Sequence, residues 1–306
     1  MSATANDRLC GGPSREETVV RETPGEPRWK IRGGWLDLGR SPHVMGVVNV
    51  TPDSFSDGGK HFDAGRAVDH GLKLVDDGAD LLDVGGESTR PGAVPVPLDE
   101  ELRRVIPVIE RLADQVTVPI SIDTYKAETA RRALGAGAAI INDITGLAGD
   151  PEMTSVVAEL QAGVICMHMQ GTPQTMQTDP RYHDVVGEVT AFLMQRIAAL
   201  TAGGVAPECI AVDPGICFGK RRRHNLELLR RVDRLVALGR PVCIGVSRKG
   251  FLDKILGRGE KEDLVHGTIG TVLSVCRRGV QIVRVHDVRA VKNALAAFRA
   301  VEPERA

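Results

Sequence analysis

The chain has 306 residues, of which 42% are hydrophobic, and this is enough for one large buried core. Its formal net charge of -1 excludes a global field that would hold nucleic acid or an anionic membrane. We find no apolar stretch that looks long enough to span a bilayer and no signal-peptide core, and the six cysteines form no CxxC pair. We therefore expect a cytoplasmic protein with no membrane or nucleic-acid partner.

The first part of the chain differs in composition from the rest. Residues 1–27 are rich in Pro, Gly, Glu, Arg and Thr and poor in apolar residues, which predicts a disordered leader. Apolar residues alternate on both sides of Gly33-Gly34 and predict a β-hairpin. Such a hairpin could plug the N-terminal mouth of a barrel and bury Trp29 and Trp35. We expect residues 28–306 to form one domain that includes this hairpin.

Eight short apolar runs follow, and each is succeeded by a helical pattern. The runs begin at residues 44, 80, 118, 139, 163, 209, 241 and 281. Helical spacing appears near 64–77, 98–114, 126–136, 151–160, 184–202, 224–238, 263–278 and 288–300. Aromatic residues make up only 3%, so packing must depend on aliphatic side chains, as is typical of parallel strands buried on both faces. The sequence predicts the α/β class: a (β/α)8 TIM barrel with an N-terminal β-hairpin.

Polar residues end these apolar runs. In a TIM barrel the active site lies at the C-terminal ends of the strands. Three connections, 50–62, 85–97 and 168–182, are unusually long, which is typical of lids or binding loops. The residues at the predicted strand ends are Asn49, Asp83, Asp123, Asn142, Asp143, His168, Asp213, Ser247, Arg284 and His286.

Two groups of residues suggest an anion site. Thr89 and Arg90 lie in 85-GGESTRPGA, where a hydroxyl, a guanidinium and free backbone N–H groups could surround an anion. Alternation along the last strand directs Arg284 and His286 to the same side. Together they favour a diphosphate, although the loop alone could be an ordinary turn. The amide of Asn49 could ligate a hard cation, bind phosphate or simply cap a turn.

Other residues indicate a ring-shaped ligand. Asp123, Asn142 and Asp213 offer acceptors for a ring with several N–H donors, although each could instead cap the following helix. Lys249 could direct its ammonium at a carbonyl oxygen or a ring nitrogen, and a Schiff base stays open on chemistry alone. Phe55 could anchor its loop or contact a flat substrate. The basic run 220-KRRRH is expected to begin a solvated helix face, and it could also add positive potential near an anionic ligand.

The strings NVTPDSFSDGG, DVGGESTRPGA, SIDT, NDITG, MHMQGTP, DPGICFGK, GVSRK and RVHDV resemble those of the dihydropteroate synthase family of folate biosynthesis. The resemblance covers about residues 28–300. It implies a transferase that joins 6-hydroxymethyl-7,8-dihydropterin diphosphate to p-aminobenzoate and releases diphosphate. It also implies Mg2+ as cofactor, a homodimer, and sulfonamides as competitors. The chain shows no GxSxG elbow and no Cys–His nucleophile signature, in keeping with a substrate whose leaving group is already good.

The resemblance assigns roles residue by residue. Asn49 would ligate Mg2+ beside the diphosphate, which Thr89, Arg90, Arg284 and His286 would bind. The implied pterin pocket comprises Asp83, Asp123, Asn142, Met167, Asp213, Lys249 and Arg284. The implied p-aminobenzoate site comprises Phe55, Thr89, Pro91, Phe218, Ser247 and Lys249. Asp123, Lys249 and Arg284 are the expected catalytic residues. One position departs from the family: Cys217 stands where DPGxGFGK usually has Gly, and a positive φ there would cost on the order of 1 kcal/mol.

Three alternatives are open. A methyltetrahydrofolate-corrinoid methyltransferase-like enzyme would share a pterin-binding barrel, but the STRPG loop and the SRK strand end argue against it. A non-catalytic pterin-binding paralogue would not need Thr89, Arg90 and Lys249 together. A purely structural barrel would not need a polar residue at every strand end.

Overall fold

The computed structural model describes residues 27–39, 41–51, 64–257 and 261–301. Of the predicted leader, residues 1–26 lie outside the described residues. Phe55 also lies outside them. The described chain begins with an antiparallel hairpin of two strands, β1 (Arg28–Ile31) and β2 (Gly34–Asp37). The hairpin predicted around Gly33-Gly34 is therefore confirmed.

Eight parallel strands form the barrel. Their order around the sheet is β8-β7-β6-β5-β4-β3-β10-β9, and a parallel bridge between Val212 and Val242 brings the two end strands together. The predicted (β/α)8 barrel is confirmed. The strands are β3 (His43–Asn49), β4 (Leu81–Gly85), β5 (Ile120–Asp123), β6 (Ile140–Asp143), β7 (Gly163–Met167), β8 (Ile210–Asp213), β9 (Cys243–Gly245) and β10 (Ile282–Val285).

Helices follow the strands and cover the outside of the barrel. The helix predicted over 224–238 is wrong in part, because Arg231 leaves the helical conformation at φ -115 and two helices result. The short helix before residue 257 was not predicted. The helices are α1 (Ala64–Asp76), α2 (Leu98–Ala113), α3 (Ala127–Gly135), α4 (Met153–Leu160), α5 (Val185–Ala202), α6 (Arg222–Arg230), α7 (Asp233–Val236), α8 (Gly250–Leu256), α9 (Lys261–Cys276) and α10 (Val288–Val301), with a 3-10 turn at Pro207–Cys209.

The aliphatic core has two parts. The larger part lies between the strands and the surrounding helices, and the smaller part fills the barrel interior. Trp29 closes the interior from the hairpin side: it is fully buried, and its indole N–H donates to the carbonyl oxygen of Cys209 at 2.8 Å. The N-terminal end of the barrel is thus sealed, and the other end is left for chemistry. The inner core contains Trp29, Ile31, Leu38, Met45, Leu81, Ile140, Ile165, Ala211, Cys243 and Ile282.

The expectation that Trp35 is also buried is wrong. Cross-strand partners share a face of a hairpin. Trp29 pairs with Leu36, whereas Trp35 pairs with Lys30, so the two tryptophans lie on opposite faces. Trp35 is 46% exposed, and the guanidinium of Arg28 lies 5.0 Å from the centre of its ring.

The expectation that no apolar segment is long enough to span a bilayer is also wrong. Within the described residues, helix α5 is long and apolar enough by length and composition. In the structure α5 is one of the outer helices of the barrel. Val189 and Leu193 on its inner face belong to the large core, and its N-terminus is capped by Asp184, whose carboxylate accepts from the N–H of Gly187. Length and composition alone therefore do not separate a long barrel helix from a membrane span.

Candidate active site

An ion network lies at the centre of the barrel mouth. Arg284, on β10, donates from Nε to Asp83 Oδ2 at 2.6 Å and from Nη2 to Asp123 Oδ2 at 2.9 Å. Asn142 Nδ2 donates to the same oxygen of Asp83 at 3.1 Å. Alternate side chains of a strand point to the same face of the sheet. These four residues all lie on the inward-pointing positions of their own strands, so their side chains converge in the barrel mouth. The sequence-predicted pterin residues Asp83, Asp123, Asn142 and Arg284 are thus in mutual contact.

Burial is the largest influence on the pKa values of the carboxyl groups in and beside this network. It raises the pKa of Asp123 to about 7, and the nearby Arg284 only partly opposes the shift. Burial by itself lowers the pKa of Arg284, but the charges of Asp83 and Asp123 outweigh it, so the pKa is raised and the guanidinium stays charged. Asp213 is also buried, and its pKa is raised to about 6 although the N–H of Gly215 donates to its Oδ1 at 2.6 Å. The two acids can change protonation near neutral pH.

Two further contacts lie at the ends of β9 and β10. The Nζ of Lys249 is 4.5 Å from the centre of the Phe218 ring, a cation–π distance, and burial lowers its pKa. The Oγ of Ser247 accepts from the backbone N–H of His286 at 3.1 Å and lies 3.0 Å from its Nδ1. The hydroxyl can donate its own proton to Nδ1 or use its second lone pair to accept from Nδ1–H, so this contact is compatible with either neutral tautomer of His286.

His286 is neutral at physiological pH. Burial lowers its pKa to about 3, and the positive charges of Arg284 and Arg248 act in the same direction. At this position the imidazole can donate one N–H to an anion, but it does not supply a positive charge of its own before the anion binds.

The loop that carries Thr89, Arg90 and Pro91 is held by Glu87. Its carboxylate accepts from Lys126 Nζ at 2.6 Å and from the hydroxyl of Tyr125 at 2.8 Å. Lys126 also donates to the buried Glu101 at 2.5 Å. Beyond this anchor Thr89 is half-buried, whereas Arg90 and Pro91 are exposed.

The same loop touches another long loop of the barrel mouth. The N–H of Gly92 donates to Pro173 O at 3.0 Å, and Gln174 Nε2 donates to Ala93 O at 2.9 Å. The loops 85–97 and 168–182, both predicted to serve binding, therefore form a joint rim.

Comparisons with known proteins decide the family. Residues 45–286 match the family described as Pterin binding enzyme. The dihydropteroate synthase of Synechocystis sp. is 46% identical over 256 residues, which are 84% of this chain and 89% of the relative. The chain belongs to the dihydropteroate synthase family. The family and enzyme class predicted from the sequence motifs are confirmed.

Two solved structures of dihydropteroate synthases are similar to this chain along nearly its whole length. The enzyme of Xanthomonas albilineans with 4-aminobenzoic acid has a TM-score of 0.85 and 47% identity, and the match covers 91% of this chain and all of that one. The enzyme of Yersinia pestis in a sulfonamide drug complex has a TM-score of 0.84 and 40% identity, covering 89% and 98%.

The position at which this chain departs from the usual dihydropteroate synthase motif has the backbone that glycine favours. Cys217 has φ 73. Its N–H donates to Asn225 Oδ1 at 2.8 Å, and its Sγ lies 3.6 Å from Asn225 Nδ2. Burial raises the pKa of the thiol, which therefore stays protonated and weakly reactive at neutral pH.

Two of the residues at the predicted strand ends, Asp143 and His168, lie outside the ion network of the barrel mouth. Asp143 follows Asn142 and lies on the opposite face of β6, where its Oδ1 accepts from the N–H and the hydroxyl of Thr145. His168 packs edge-on against Phe192 at 4.8 Å. Asn49, the predicted Mg2+ ligand, is half-buried at the end of β3, and Met167, predicted to pack against the pterin, is buried at the end of β7. Their roles stay predictions.

Lys220 is buried, although the sequence predicted that it is solvated. The run 220-KRRRH was expected to form a solvated helix face, but Lys220 is 2% exposed and His224 is 3% exposed. Helix α6 begins only at Arg222, so Lys220 belongs to the preceding loop. The signal that could have found it is its place next to Gly219 at the end of the DPGICFGK motif, before the helical pattern begins.

Proposed function

We propose that the chain condenses 6-hydroxymethyl-7,8-dihydropterin diphosphate with p-aminobenzoate to give 7,8-dihydropteroate and diphosphate. The observation that carries the proposal is the network of Arg284 with Asp83 and Asp123 in the barrel mouth, with Asp213 also buried there. It combines acceptors for the N–H groups of a pterin with a guanidinium that stays charged. Family membership supports the same reaction.

The pterin is proposed to bind deepest. Asp213 and Asp123 would accept from its N–H groups, and Asn142 would add an amide that both donates and accepts. Asp83 is fully buried and receives hydrogen bonds from Arg284 and Asn142, so it holds both in place. The buried Met167 and the side chain of Arg284 would pack against the faces of the ring.

The diphosphate is proposed to lie between β10 and the loop after β4. Arg284 supplies a fixed positive charge, and the neutral His286 would donate through Nε2 in the tautomer whose Nδ1 accepts from the Ser247 hydroxyl. Thr89 and the exposed Arg90 would add a hydroxyl and a guanidinium from the rim. Donors placed in advance stabilise charge that develops on the leaving group.

A magnesium ion fits this arrangement as a partner of the substrate. Asn49 offers one amide oxygen at the end of β3, and the described ranges hold no group of three or more Asp, Glu, His or Cys residues that could bind a metal. Mg2+ commonly keeps several waters and binds through a few protein ligands and substrate phosphates. When bound, it would supply positive charge to the departing diphosphate.

The amine donor is proposed to bind nearer the rim. The Phe218 ring with Lys249 beside it forms one wall, and Ser247, Thr89 and Pro91 would complete the site, with Phe55 from outside the described residues. The amine nitrogen forms the new C–N bond as the C–O bond to diphosphate breaks. The leaving group takes the bonding electrons, and the nitrogen loses one proton. The chain contributes position and charge without a covalent intermediate.

Synthase activity of the purified chain tests the proposal. Pterin diphosphate, p-aminobenzoate and Mg2+ should give dihydropteroate, detected by chromatography, and excess chelator should stop turnover. Arg284→Gln should abolish product, whereas the exposed Arg131→Gln should retain full activity. Pterin binding without any product would favour a non-catalytic pterin-binding protein, and full turnover in chelator would remove Mg2+ from the proposal.

The assembly and the inhibitors follow from the family resemblance. We propose a homodimer, tested by sedimentation of the purified chain, and a monomer at assay concentration would refute it. We also propose that sulfonamides compete with p-aminobenzoate, which the sulfonamide complex of the Yersinia pestis relative supports. Inhibition that p-aminobenzoate does not relieve would contradict this. The cytoplasmic location stays a prediction.

A further inference from the structure

Lys220 is a buried lysine whose charged form has a complete set of hydrogen-bond partners. Its Nζ lies 2.9 Å from His168 Nδ1, 3.3 Å from His168 O and 2.9 Å from Phe218 O. An ammonium has three N–H donors, and here each has one acceptor. Within the part of the chain that the structure describes, Lys220 forms no ion pair with a carboxylate. Its hydrogen bonds therefore go to two backbone carbonyl oxygens, those of His168 and Phe218, and to the imidazole of His168.

These contacts join two different parts of the barrel mouth. Phe218 lies in the loop after β8, and His168 follows β7. The loop fits so closely that a Cβ at Gly215 would lie 1.9 Å from His168 O, and one at Gly219 would lie 2.4 Å from Gln170 O. The hydroxyl of Tyr182 adds a hydrogen bond to Gly219 O at 2.9 Å. The path of the loop is thus set by its fit against residues 168–170.

The surroundings of His168 favour a neutral ring that can accept a hydrogen bond from Lys220. Its ring packs edge-on against Phe192, and burial together with the charge of Lys220 lowers its pKa to about 3. The ring is therefore neutral. While Lys220 is charged, its ammonium can only donate, so Nδ1 accepts and the ring carries its proton on Nε2. Burial also lowers the pKa of Lys220, to about 7, while the carboxylate of Asp213 partly opposes this shift.

We propose that Lys220 and His168 are positioning residues that fix Phe218, and with it the wall of the amine-donor site. Lys220 binds the carbonyl oxygen of Phe218 itself, and the Phe218 ring lies 4.5 Å from Lys249 Nζ. The inference rests on the proposed function, because it concerns the p-aminobenzoate site of the same reaction. Asp83, Asp123, Asn142 and Arg284 of the proposed pterin pocket lie outside these contacts, whereas Asp213 accepts from the His168 N–H through its backbone oxygen and interacts electrostatically with Lys220. The direct hydrogen bond of Lys220 nevertheless goes to Phe218 O and not to a side chain of the pterin pocket. Loss of Lys220 should therefore affect the two substrates unequally.

Lys220→Met tests this, since methionine is of similar length but has no N–H donor. We expect KM for p-aminobenzoate to rise at least about tenfold, equivalent to about 1.4 kcal/mol of binding free energy. The Kd of a pterin without diphosphate, measured by calorimetry, should change less than about twofold. Lys220→Gln keeps two N–H donors and should recover part of the loss, and it is assayed in the same way if Lys220→Met does not fold. The control is Arg222→Met, an exposed cation two residues away, which should leave both quantities unchanged.

A second measurement needs no turnover. Cys217 adjoins Phe218 and is only partly exposed, so its alkylation rate reports how firmly the loop is held. Mass spectrometry of the peptide that carries Cys217 should show faster labelling in Lys220→Met than in the wild type and in Arg222→Met. Unchanged KM and labelling would overturn the proposal, as would equal losses of pterin and amine binding. Absence of product from the wild type, with the labelling difference retained, would refute the proposed function and not the role of Lys220.

Discussion

Asp213 is a buried carboxyl group that is proposed to accept hydrogen bonds from the pterin. Its pKa is raised to about 6 by burial, and only the ionised form can accept from two pterin N–H groups. Pterin affinity should therefore increase as pH rises through about 6. In Asp213→Asn the part of this increase near pH 6 should disappear, and the affinity should fall by about 1–3 kcal/mol because an amide donor faces a donor. Calorimetry between about pH 5 and pH 8 measures both effects. An unchanged pH profile in the variant would assign the titration to Asp123, whose pKa is about 7.

Cys217 is a residue with strain but little reactivity. At φ 73 a side chain costs about 1–2 kcal/mol, which Cys217→Gly would relieve. Glycine also gives the unfolded chain more freedom, which removes about 0.5–1 kcal/mol of that gain. We expect a net stabilisation between zero and about 1.5 kcal/mol by thermal unfolding. Pterin affinity should not change, and KM for p-aminobenzoate should change less than about tenfold.

Cys217→Ala separates the effect of the positive φ on stability from the effect of the thiol. It keeps the strained backbone and removes the thiol, so it should not gain stability. Equal gains in Cys217→Ala and Cys217→Gly would show that the sulfur, and not the positive φ, destabilises the loop. Loss of pterin binding in Cys217→Gly would contradict the position of Phe218 in the proposed site.

At the scale of elements, Lys126 at the start of α3 links the loop 85–97, which is proposed to bind diphosphate, to α2. Lys126 pairs with Glu87 of the loop and with Glu101 of α2. Glu101 is 1% exposed, so Lys126→Met leaves a buried carboxylate without its cation, and we expect a loss of about 3–5 kcal/mol in the free energy of unfolding. KM for the pterin diphosphate should also rise, while a pterin without diphosphate should bind nearly as before.

The matched control is Lys73→Met. Lys73 pairs with Asp77 on the surface of α1, where its side chain is 66% exposed, and such pairs contribute little to stability. Denaturant unfolding and steady-state kinetics compare the two variants. Equal stability of both would show that the Glu87–Lys126–Glu101 contacts do not hold the loop.

The periodic elements were the predictable ones. Buried parallel strands are short continuous apolar runs, and all eight are visible in the sequence. The break between α6 and α7 was not predicted, because the apolar spacing continues across Arg231 although its backbone does not. Helix α8 has only seven residues, too few for a clear period. The side on which Trp35 lies depends on hairpin register, and composition does not determine register.

The site was predictable for residues on strands and less so for those in loops. Alternation brought Asp83, Asp123, Asn142 and Arg284 into one network as expected. Lys220 was missed because charge alone suggested solvent, and only the path of the loop buries it. Family resemblance named the ligand classes, which spacing and charge alone had left open.

At the scale of the molecule, the hairpin seals one end of the barrel. Trp29→Ala should remove a fully buried ring and a hydrogen bond to Cys209, and we expect a loss of about 3–5 kcal/mol in unfolding free energy. The exposed Trp35→Ala should change stability by no more than about 0.5 kcal/mol. Thermal unfolding of both variants is the measurement. A similar loss in both would mean that the hairpin as a whole, and not the buried indole, contributes the stability.

The barrel can close only after its last strand has been synthesised. Strand β3 pairs with β10, where Gly46 lies opposite Val285, about 240 residues later in the chain. At a synthesis rate of about 5–20 residues per second, β3 has one side open for roughly 10–50 s before its second neighbour exists. Both edges of the growing sheet stay available to other chains throughout that interval. Translation speed and chaperone supply should therefore govern the yield of this protein in a cell more than the final stability of its fold.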